Sequence, residues 1–547
     1  MNISVPATVT LQSNILCNIR RQESTSFLRT AVLMVANTDH LETDRSTTRT
    51  GDDCAQVIAA IDLGSNSFHL KVARVVDGQL AVIDRMRESV RLAAGLNDKN
   101  ELDEAACRRA IGVLEQFGQR LRDVASHNVR AVGTNTLRRA RRAKAFRADC
   151  EAALGHPIEI ISGREEARLI YLGVAHSVAQ NEGKNLVADI GGGSTELIIG
   201  ERFEPLCTES LYMGCVGMSR EFFPGGNIDA RGMRQAILAA RQELEYVEES
   251  YRRIGWDNAI GSSGTIRSVH QIIQNEGWGR KGITSKGLAK LRDAVIASGR
   301  SDKLKLRGLD PERAPVFAGG LAVLSAVFDG LQVRRMTCAD GALREGLLYD
   351  LIGRLDFKDV RGDTIDDLFR RYRVDQDQAR RVAETAGFLL ERVAKPWNLA
   401  DERYARLLEW AARLHEIGLD IAHSQYHKHG AYVLRNADLP GFSNQEQAEI
   451  AALVRVHRRK FATQVFDDLP RGQRPRLLML AVLLRFAVAM HRGRYDMRLD
   501  GVAVEASSDT LLVTFPPGWL AAHPLTEADL AREGAYLKAA GITLRVT

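Results

Sequence analysis

Two aspartates each lead one version of the same ten-residue stretch. Ile61-Asp62-Leu63-Gly64-Ser65-Asn66-Ser67-Phe68-His69-Leu70 returns as Ala188-Asp189-Ile190-Gly191-Gly192-Gly193-Ser194-Thr195-Glu196-Leu197. Asp62 aligns with Asp189, Gly64 with Gly191, Ser67 with Ser194 and Leu70 with Leu197. A carboxylate at the root of a Gly/Ser turn can hold a hard cation such as Mg2+. The turn itself offers backbone N–H groups and hydroxyls, which suit phosphate oxygens. Two further turns have the same chemistry: Gly133-Thr134-Asn135-Thr136 and Gly261-Ser262-Ser263-Gly264-Thr265. One such turn alone is an ordinary hairpin or loop. Four in one chain, two of them repeated, point to a phosphate cleft built by two related halves.

Charged residues stand beside these turns. Arg138, Arg139, Arg141 and Arg142 follow the second turn, and Arg267 follows the fourth. Guanidinium groups clamp phosphate oxygens bidentately. Helical spacing cannot aim all four of the first group one way, so Arg138, nearest the turn, is the candidate cleft contact. The others read as a solvated basic face or a path for a longer polyanion. Ser162-Gly163-Arg164-Glu165-Glu166-Ala167-Arg168 places an acidic pair at a helix start. Carboxylates there also favour the helix macrodipole without any catalytic role. The helix that follows is apolar nearly all round, so periodicity does not choose between Glu165 and Glu166 as a base for water.

These residues need a scaffold. Each Asp-led stretch is flanked by apolar runs, which reads as strand, tight turn, strand. After the first hairpin the pattern predicts a helix over 102–124, a strand over 129–132, a helix over 136–154, a strand over 158–161 and a helix over 164–177. The mixture continues from about 185 to 352, with a long helix near 230–254. Alternation of this kind argues for an α/β fold with mixed sheets. From about 353 the patterns become helical; Tyr404, Leu407, Leu408, Ala411, Leu414 and Ile417 share one face of a helix. Strand-like alternation returns at 502–515. The expected organisation is an N-terminal extension over 1–55, α/β domains over 56–180 and 181–352, a helical domain over 353–495 and a small α+β domain over 496–547.

With 547 residues, 45% apolar and 26% charged, the chain has ordinary globular composition and room for several cores. A net charge of +6 is too modest for a protein that coats nucleic acid. The seven cysteines are scattered, odd in number and without a C-x-x-C pair, which argues for reduced thiols and a cytoplasmic setting. No apolar run approaches the roughly 20 residues of a membrane span. Peripheral membrane association is left open. Residues 1–55 are rich in Thr, Ser, Asn and Arg, and read as a disordered extension or an over-long start, with Met34 an internal start. Their run Ala31-Val32-Leu33-Met34-Val35-Ala36 is too short and too far in for a signal peptide.

From about residue 57 onward the chain resembles the exopolyphosphatase/guanosine pentaphosphate phosphatase family. The resemblance rests on the two Asp-led stretches, on Gly133-Thr134-Asn135-Thr136-Leu137-Arg138, on Ser162 to Leu169, on Gly214-Cys215-Val216, on Gly261 to Thr265 and on Asp340-Gly341-Ala342-Leu343-Arg344-Glu345-Gly346. It implies two actin/Hsp70-like (ribonuclease H-like) domains hinged around a phosphate cleft. It also implies that Glu166 is the catalytic carboxylate and that Asp189, with Asp62 as its counterpart, anchors Mg2+. Arg138, Ser65, Asn66, Gly192, Gly193 and Ser194 are then phosphate contacts. Ser67, Thr134, Asn135, Gly191, Ser263, Gly264, Thr265 and Arg267 join them from the turns.

The helical domain resembles an HD-type phosphohydrolase module through Leu414-His415-Glu416-Ile417-Gly418, His423, His427, His429 and Val456-His457-Arg458-Arg459-Lys460. Glu416 stands where the HD pattern has Asp, which speaks against a second metal-dependent centre. The alternative there is a basic surface that extends the groove. The resemblance favours inorganic polyphosphate as substrate, hydrolysed from its end to orthophosphate, with guanosine pentaphosphate as the alternative. A non-hydrolytic nucleotide-binding regulator is the remote reading, and a homodimer is expected.

Overall fold

Residues 56–547 are described by the computed structural model, apart from 77–78, 98, 142, 179–182, 280, 356–359 and 498. The expectations for 1–55, including the internal start, therefore lie outside the described residues.

The first Asp-led hairpin is β1 (Val57–Leu63) and β2 (Phe68–Val76), followed by β3 (Gln79–Glu88). Then come α1 (Glu104–Leu121), β4 (Val129–Gly133), α2 (Asn135–Arg139), α3 (Ala143–Leu154), β5 (Ile158–Ile160) and α4 (Gly163–Ser177). The strands order as β3-β2-β1-β4-β5. The second half repeats this with β6 (Lys184–Ile190), β7 (Thr195–Glu201), β8 (Glu204–Leu211), α5 (Cys215–Phe222), α6 (Ala230–Ile254), β9 (Asn258–Gly261) and α7 (Gly264–Asn275). It ends with β10 (Ile283–Thr284), α8 (Ser285–Ser298), α9 (Ala314–Leu331), β11 (Arg335–Cys338) and α10 (Leu343–Leu355). Its sheet runs β8-β7-β6-β9-β11-β10, the first half's order with one added edge strand. In both halves the hairpin pairs antiparallel and its first strand pairs parallel with the next. The internal repeat is thus a repeated topology, and the α/β part is the expected two-halved, actin-like arrangement.

The predicted helix over 136–154 is broken. Ala140 is extended (φ −61°, ψ 125°) and the Arg141 N–H donates to Asn100 O at 2.6 Å, so the backbone leaves the helical path. Arg142 lies outside the described residues. Among the described residues one helix, α9, with 18 residues, is long and apolar enough by length and composition to cross a membrane. It is the buried central helix of the second half, where Phe317, Leu321, Leu324, Val327 and Phe328 share a core with Ile266, Val269, Leu244 and Val247.

The halves join through a third core. Ile58, Ala60 and Val132 of the first sheet meet Val187, Ile198 and Ile260 of the second across α4 and α10. These helices approach backbone to backbone. A Cβ on Gly173 would collide with Ala342 O, and one on Gly346 with Leu169 O.

The remainder is helical: α11 (Val360–Arg371), α12 (Gln376–Val393), α13 (Glu402–Leu414), α14 (Tyr426–Asn436), α15 (Asn444–Val456) and α16 (Arg474–Met490). After α13 the chain tightens into a short 3-10 turn at Ile417–Asp420, three residues beyond the last α-helical residue. A small sheet follows, β12 (Ala503–Ala506), β13 (Thr510–Thr514) and β14 (Thr543–Val546), with α17 (Trp519–Ala522) and α18 (Pro524–Lys538) inserted before its last strand. Val504, Leu511, Val513, Leu530 and Leu537 belong to the same core as Leu407, Leu453 and Leu483, so helical region and tail share one interior.

Candidate phosphate cleft

The two Asp-led turns face each other. A methyl group on Gly192 would lie 3.0 Å from Ser65 Cβ, and one on Gly193 would lie 2.6 Å from Asn135 Oδ1. Only glycine lets these segments touch. Thr136 Oγ1 donates to Ser65 Oγ at 2.8 Å, tying the second turn to the first. Between them lies a cleft of about 160 Å3. Of the residues singled out in the sequence, Asp62, Ser65, Asn66, Ser67, Thr134, Asn135, Glu166, Asp189, Gly191, Gly192, Ser194, Ser263, Gly264, Thr265 and Arg267 all line it. Ser263 Oγ caps α7 by accepting from Ile266 N at 3.1 Å, so this helix opens its positive end on the cleft. The Arg313 guanidinium lies where a Cβ on Gly264 would stand, so a side chain there would displace that group from the cleft.

Two expected phosphate contacts are placed differently. Gly193 packs against Asn135 instead of lining the cavity. Arg138 is engaged: its Nη1 donates to Glu166 Oε2 and to Ile161 O, both at 2.8 Å. Through Nη1 it holds the carboxylate.

The acidic pair splits. Ser162 caps α4 through Glu165 N at 3.1 Å. Glu166 faces the cleft, while Glu165 points away into a buried ionic cluster. Arg168 grips Glu165 with two bonds of 2.8 Å, and Asp350 on α10 pairs with Arg168, Arg130 and Arg354. Gly441, in the loop between α14 and α15, donates its N–H to Glu165 Oε2 at 2.9 Å, and its carbonyl accepts from Arg354 at 2.8 Å. Burial opposes ionisation of Asp350, but the surrounding guanidinium groups hold its carboxyl far below the usual range.

Several cleft residues were not foreseen. Glu196 lies directly opposite Asp189 in the β6–β7 register, and His69 lies opposite Asp62 in β1–β2. Both are ninth in the repeated stretch, so the repeat itself carried that signal. Ser262, Arg313 and Arg344 complete the wall. Ser262 Oγ donates to Asp189 Oδ2 at 2.6 Å. Ser67 Oγ meets His69 Nε2 at 3.0 Å, and Arg344 reaches the ring's other nitrogen.

Four carboxylates thus share a small space. Burial pushes Asp62 up to about 7, opposed by Arg344 and reinforced by Glu166, Asp189 and Glu345. Burial likewise raises Glu166 against Arg138, and raises Asp189 against Ser262, Arg267 and Arg344. Glu196 is raised well above its ordinary value, by burial and then by Glu166 and Asp189. Burial and Arg344 lower His69 to about 2, so it is neutral at working pH. Clustered carboxylates of this kind fit a divalent cation. Among the described residues no three His, Cys, Asp or Glu side chains converge into a closed cage. The donor set is that of a cation held by one or two carboxylates and completed by water and phosphate oxygens, as Mg2+ is. Beside the cleft, sharing His69, Arg267, Arg313 and Arg344 with it, is a recess of about 670 Å3 also walled by Arg85, Arg87, Asp340 and the Lys71–Glu345 ion pair, so basic residues outnumber acidic ones.

Known proteins share this framework. The family model for the Ppx/GppA phosphatase family matches residues 71–355, and that for its domain III matches residues 360–534. A guanosine-5'-triphosphate,3'-diphosphate pyrophosphatase of Aeromonas hydrophila is 41% identical over 476 residues, 87% of this chain and 95% of its own. The protein of the same name from Vibrio parahaemolyticus is 39% identical over 489 residues, 89% of this chain and 98% of its own. The crystal structure of an exopolyphosphatase from Cytophaga hutchinsonii matches with a TM-score of 0.50 at 25% identity, covering 55% of this chain and 98% of that one. The chain with the doubled aspartate hairpin belongs to the Ppx/GppA phosphatase family.

Proposed function

We propose that this chain removes the terminal 5'-phosphate of guanosine pentaphosphate, releasing orthophosphate and guanosine tetraphosphate. The observation that carries the substrate is near-full-length identity of about 40% to relatives named for that nucleotide. This moves the first place from inorganic polyphosphate, the expectation drawn from the motifs, to the nucleotide.

Glu166 has one oxygen fixed by Arg138, which leaves Oε1 to accept a proton from water. Burial raises its pKa above that of a solvated carboxylate, which makes the ionised side chain a stronger base. Water attacks the terminal phosphorus in line, its proton passes to Glu166, and the bond to the bridging oxygen breaks. Turn amides, hydroxyls and Arg267, Arg313 and Arg344 receive the phosphate oxygens, so catalysis rests on position and charge. Asp62 and Asp189 would hold Mg2+, which when bound supplies charge neutralisation on the phosphates. A second reading, polyphosphate hydrolysis, is favoured by the basic recess, which suits any polyanion.

The test is orthophosphate release from guanosine pentaphosphate and from long polyphosphate, side by side, with wild type and Glu166→Gln. A higher kcat/KM is expected for the nucleotide, and the variant should lose about 10²–10⁴-fold on both while still binding them. Faster release from polyphosphate would install the second reading. Equal release by the variant would remove Glu166 as base, and no release by wild type would leave a binding protein.

A further inference from the structure

The helical domain holds a cavity of about 420 Å3, separate from the cleft. Its floor carries His415 and His457, whose rings stand 5.4 Å apart. Each ring nitrogen Nδ1 lies 2.6 Å from a backbone carbonyl, of Ala412 and Val454 respectively, so Nδ1 carries the proton and Nε2 is an acceptor. Glu416 is only 7% exposed. Its Oε1 takes a 2.6 Å bond from Arg494, and its Oε2 has no partner. A buried carboxylate oxygen without a donor is costly, and a ligand that donates to it would relieve that cost.

The walls are basic. Arg485, Arg492, Arg494 and Arg532 are offset by Glu533, Asp529 and Glu416. Among the described residues Arg458 and Arg459 pair with no carboxylate. They are held in place nonetheless. The buried Arg485 bonds the carbonyls of Val456 and Arg459, which fixes the loop between them, and Arg459 takes a left-handed backbone (φ 63°). Arg458 lies 4.4 Å over the Tyr426 ring.

A ligand for this cavity needs phosphates for Arg458 and Arg459 and ring N–H donors for Glu416 Oε2 and His415 Nε2, since Arg458 already covers the Tyr426 ring and His457 Nε2 lies 3.5 Å from the Tyr426 hydroxyl. Bare polyphosphate supplies only the first and would set its charge against Glu416. Two catalytic metal ions also fit poorly, since no three ligating side chains converge among the described residues. We propose that this cavity is a second binding site, for a phosphorylated purine nucleoside with an N–H-bearing base edge. It is independent of what the cleft hydrolyses.

Equilibrium binding of GDP to full-length Glu166→Gln tests this. A site in the helical domain is expected, beside a second in the cleft if the cleft takes the nucleotide. Arg459→Gly keeps the left-handed backbone, and Arg458→Gln keeps an unbranched side chain over Tyr426. Together they should weaken one site about tenfold or more and spare the other. Arg344→Ala should do the reverse. Glu416→Gln should weaken GDP more than tripolyphosphate. A lack of any GDP site weakened by the Arg458/Arg459 pair, or tripolyphosphate displacing GDP from this site with equal affinity, would each overturn the assignment. Unchanged circular dichroism and melting of the variants separate lost contacts from lost folding.

Discussion

At the level of single residues, opposite charge environments set the two ends of the molecule against each other in acid. His427 is buried neutral in the helical unit and lowered to about 4, by burial and by Arg455 and Arg458. His415 and His457 are lowered too, by burial first. A base whose folded pKa lies below its unfolded value of 6.5 contributes stability above 6.5 that is lost as pH falls toward the folded value. Asp62 runs the other way. Its carboxyl near 7, against 3.8 when solvated, means the folded cleft gains protons as pH falls from about 7 to 4, and is stabilised there. Calorimetry from pH 7.5 to 4.5 should therefore show a helical-unit transition that moves down first while the α/β part holds or rises. A single transition shifting uniformly would contradict the assignment of neutral buried histidines. The cleft residues readable in the sequence were those with local signatures, namely the Asp-led and Ser-rich turns. Arg313 has no such signature. It arrives from a loop before α9, and only folding brings it to Gly264.

At the level of elements, glycine placement separates positions that bear contact from positions that do not. Gly346 of α10 touches the backbone of α4, so Gly346→Ala must push two buried helices apart, at a cost of about 1–3 kcal/mol or more. Gly112, inside α1, would have nothing within 4 Å of an added methyl group, and Gly112→Ala should gain about 0.5–1 kcal/mol from helix propensity. Denaturant midpoints of the two variants are expected to move in opposite directions. Most elements were legible from period and punctuation: both hairpins, α4 and α6 fall where the pattern put them. The failures have physical causes. The helix after Gly133 breaks because Arg141 finds a better partner in Asn100, and a tertiary bond of that kind leaves no trace in local composition. The apolar α9 shows that a stretch interrupted by glycines can still match a membrane span in length when it is a core helix.

Across the whole molecule, one buried cluster fastens the helical unit to the α/β halves. Asp350, from α10, balances Arg130, Arg168 and Arg354, and Glu165 and Arg354 both hold Gly441 of the helical unit. Removing one member of a buried ionic group leaves its partners uncompensated, which costs about 3–5 kcal/mol. Asp350→Asn should therefore lower global stability by that order and lower kcat as well, because Arg168 and Glu165 ride on the helix that carries Glu166. Stability loss with kcat unchanged would show that the cluster fastens the units without setting the base.

Glu165 and Glu166 are neighbours that serve different rooms. One residue of an α-helix turns the side-chain direction by about 100°. With the start of α4 held fixed, deleting the residue before Glu165 would turn both acids together, bringing Glu166 to the arginines and leaving Ala167 to face the cleft. The rotational phase of that one helix, more than the presence of either acid, is what makes an alignment gap there intolerable.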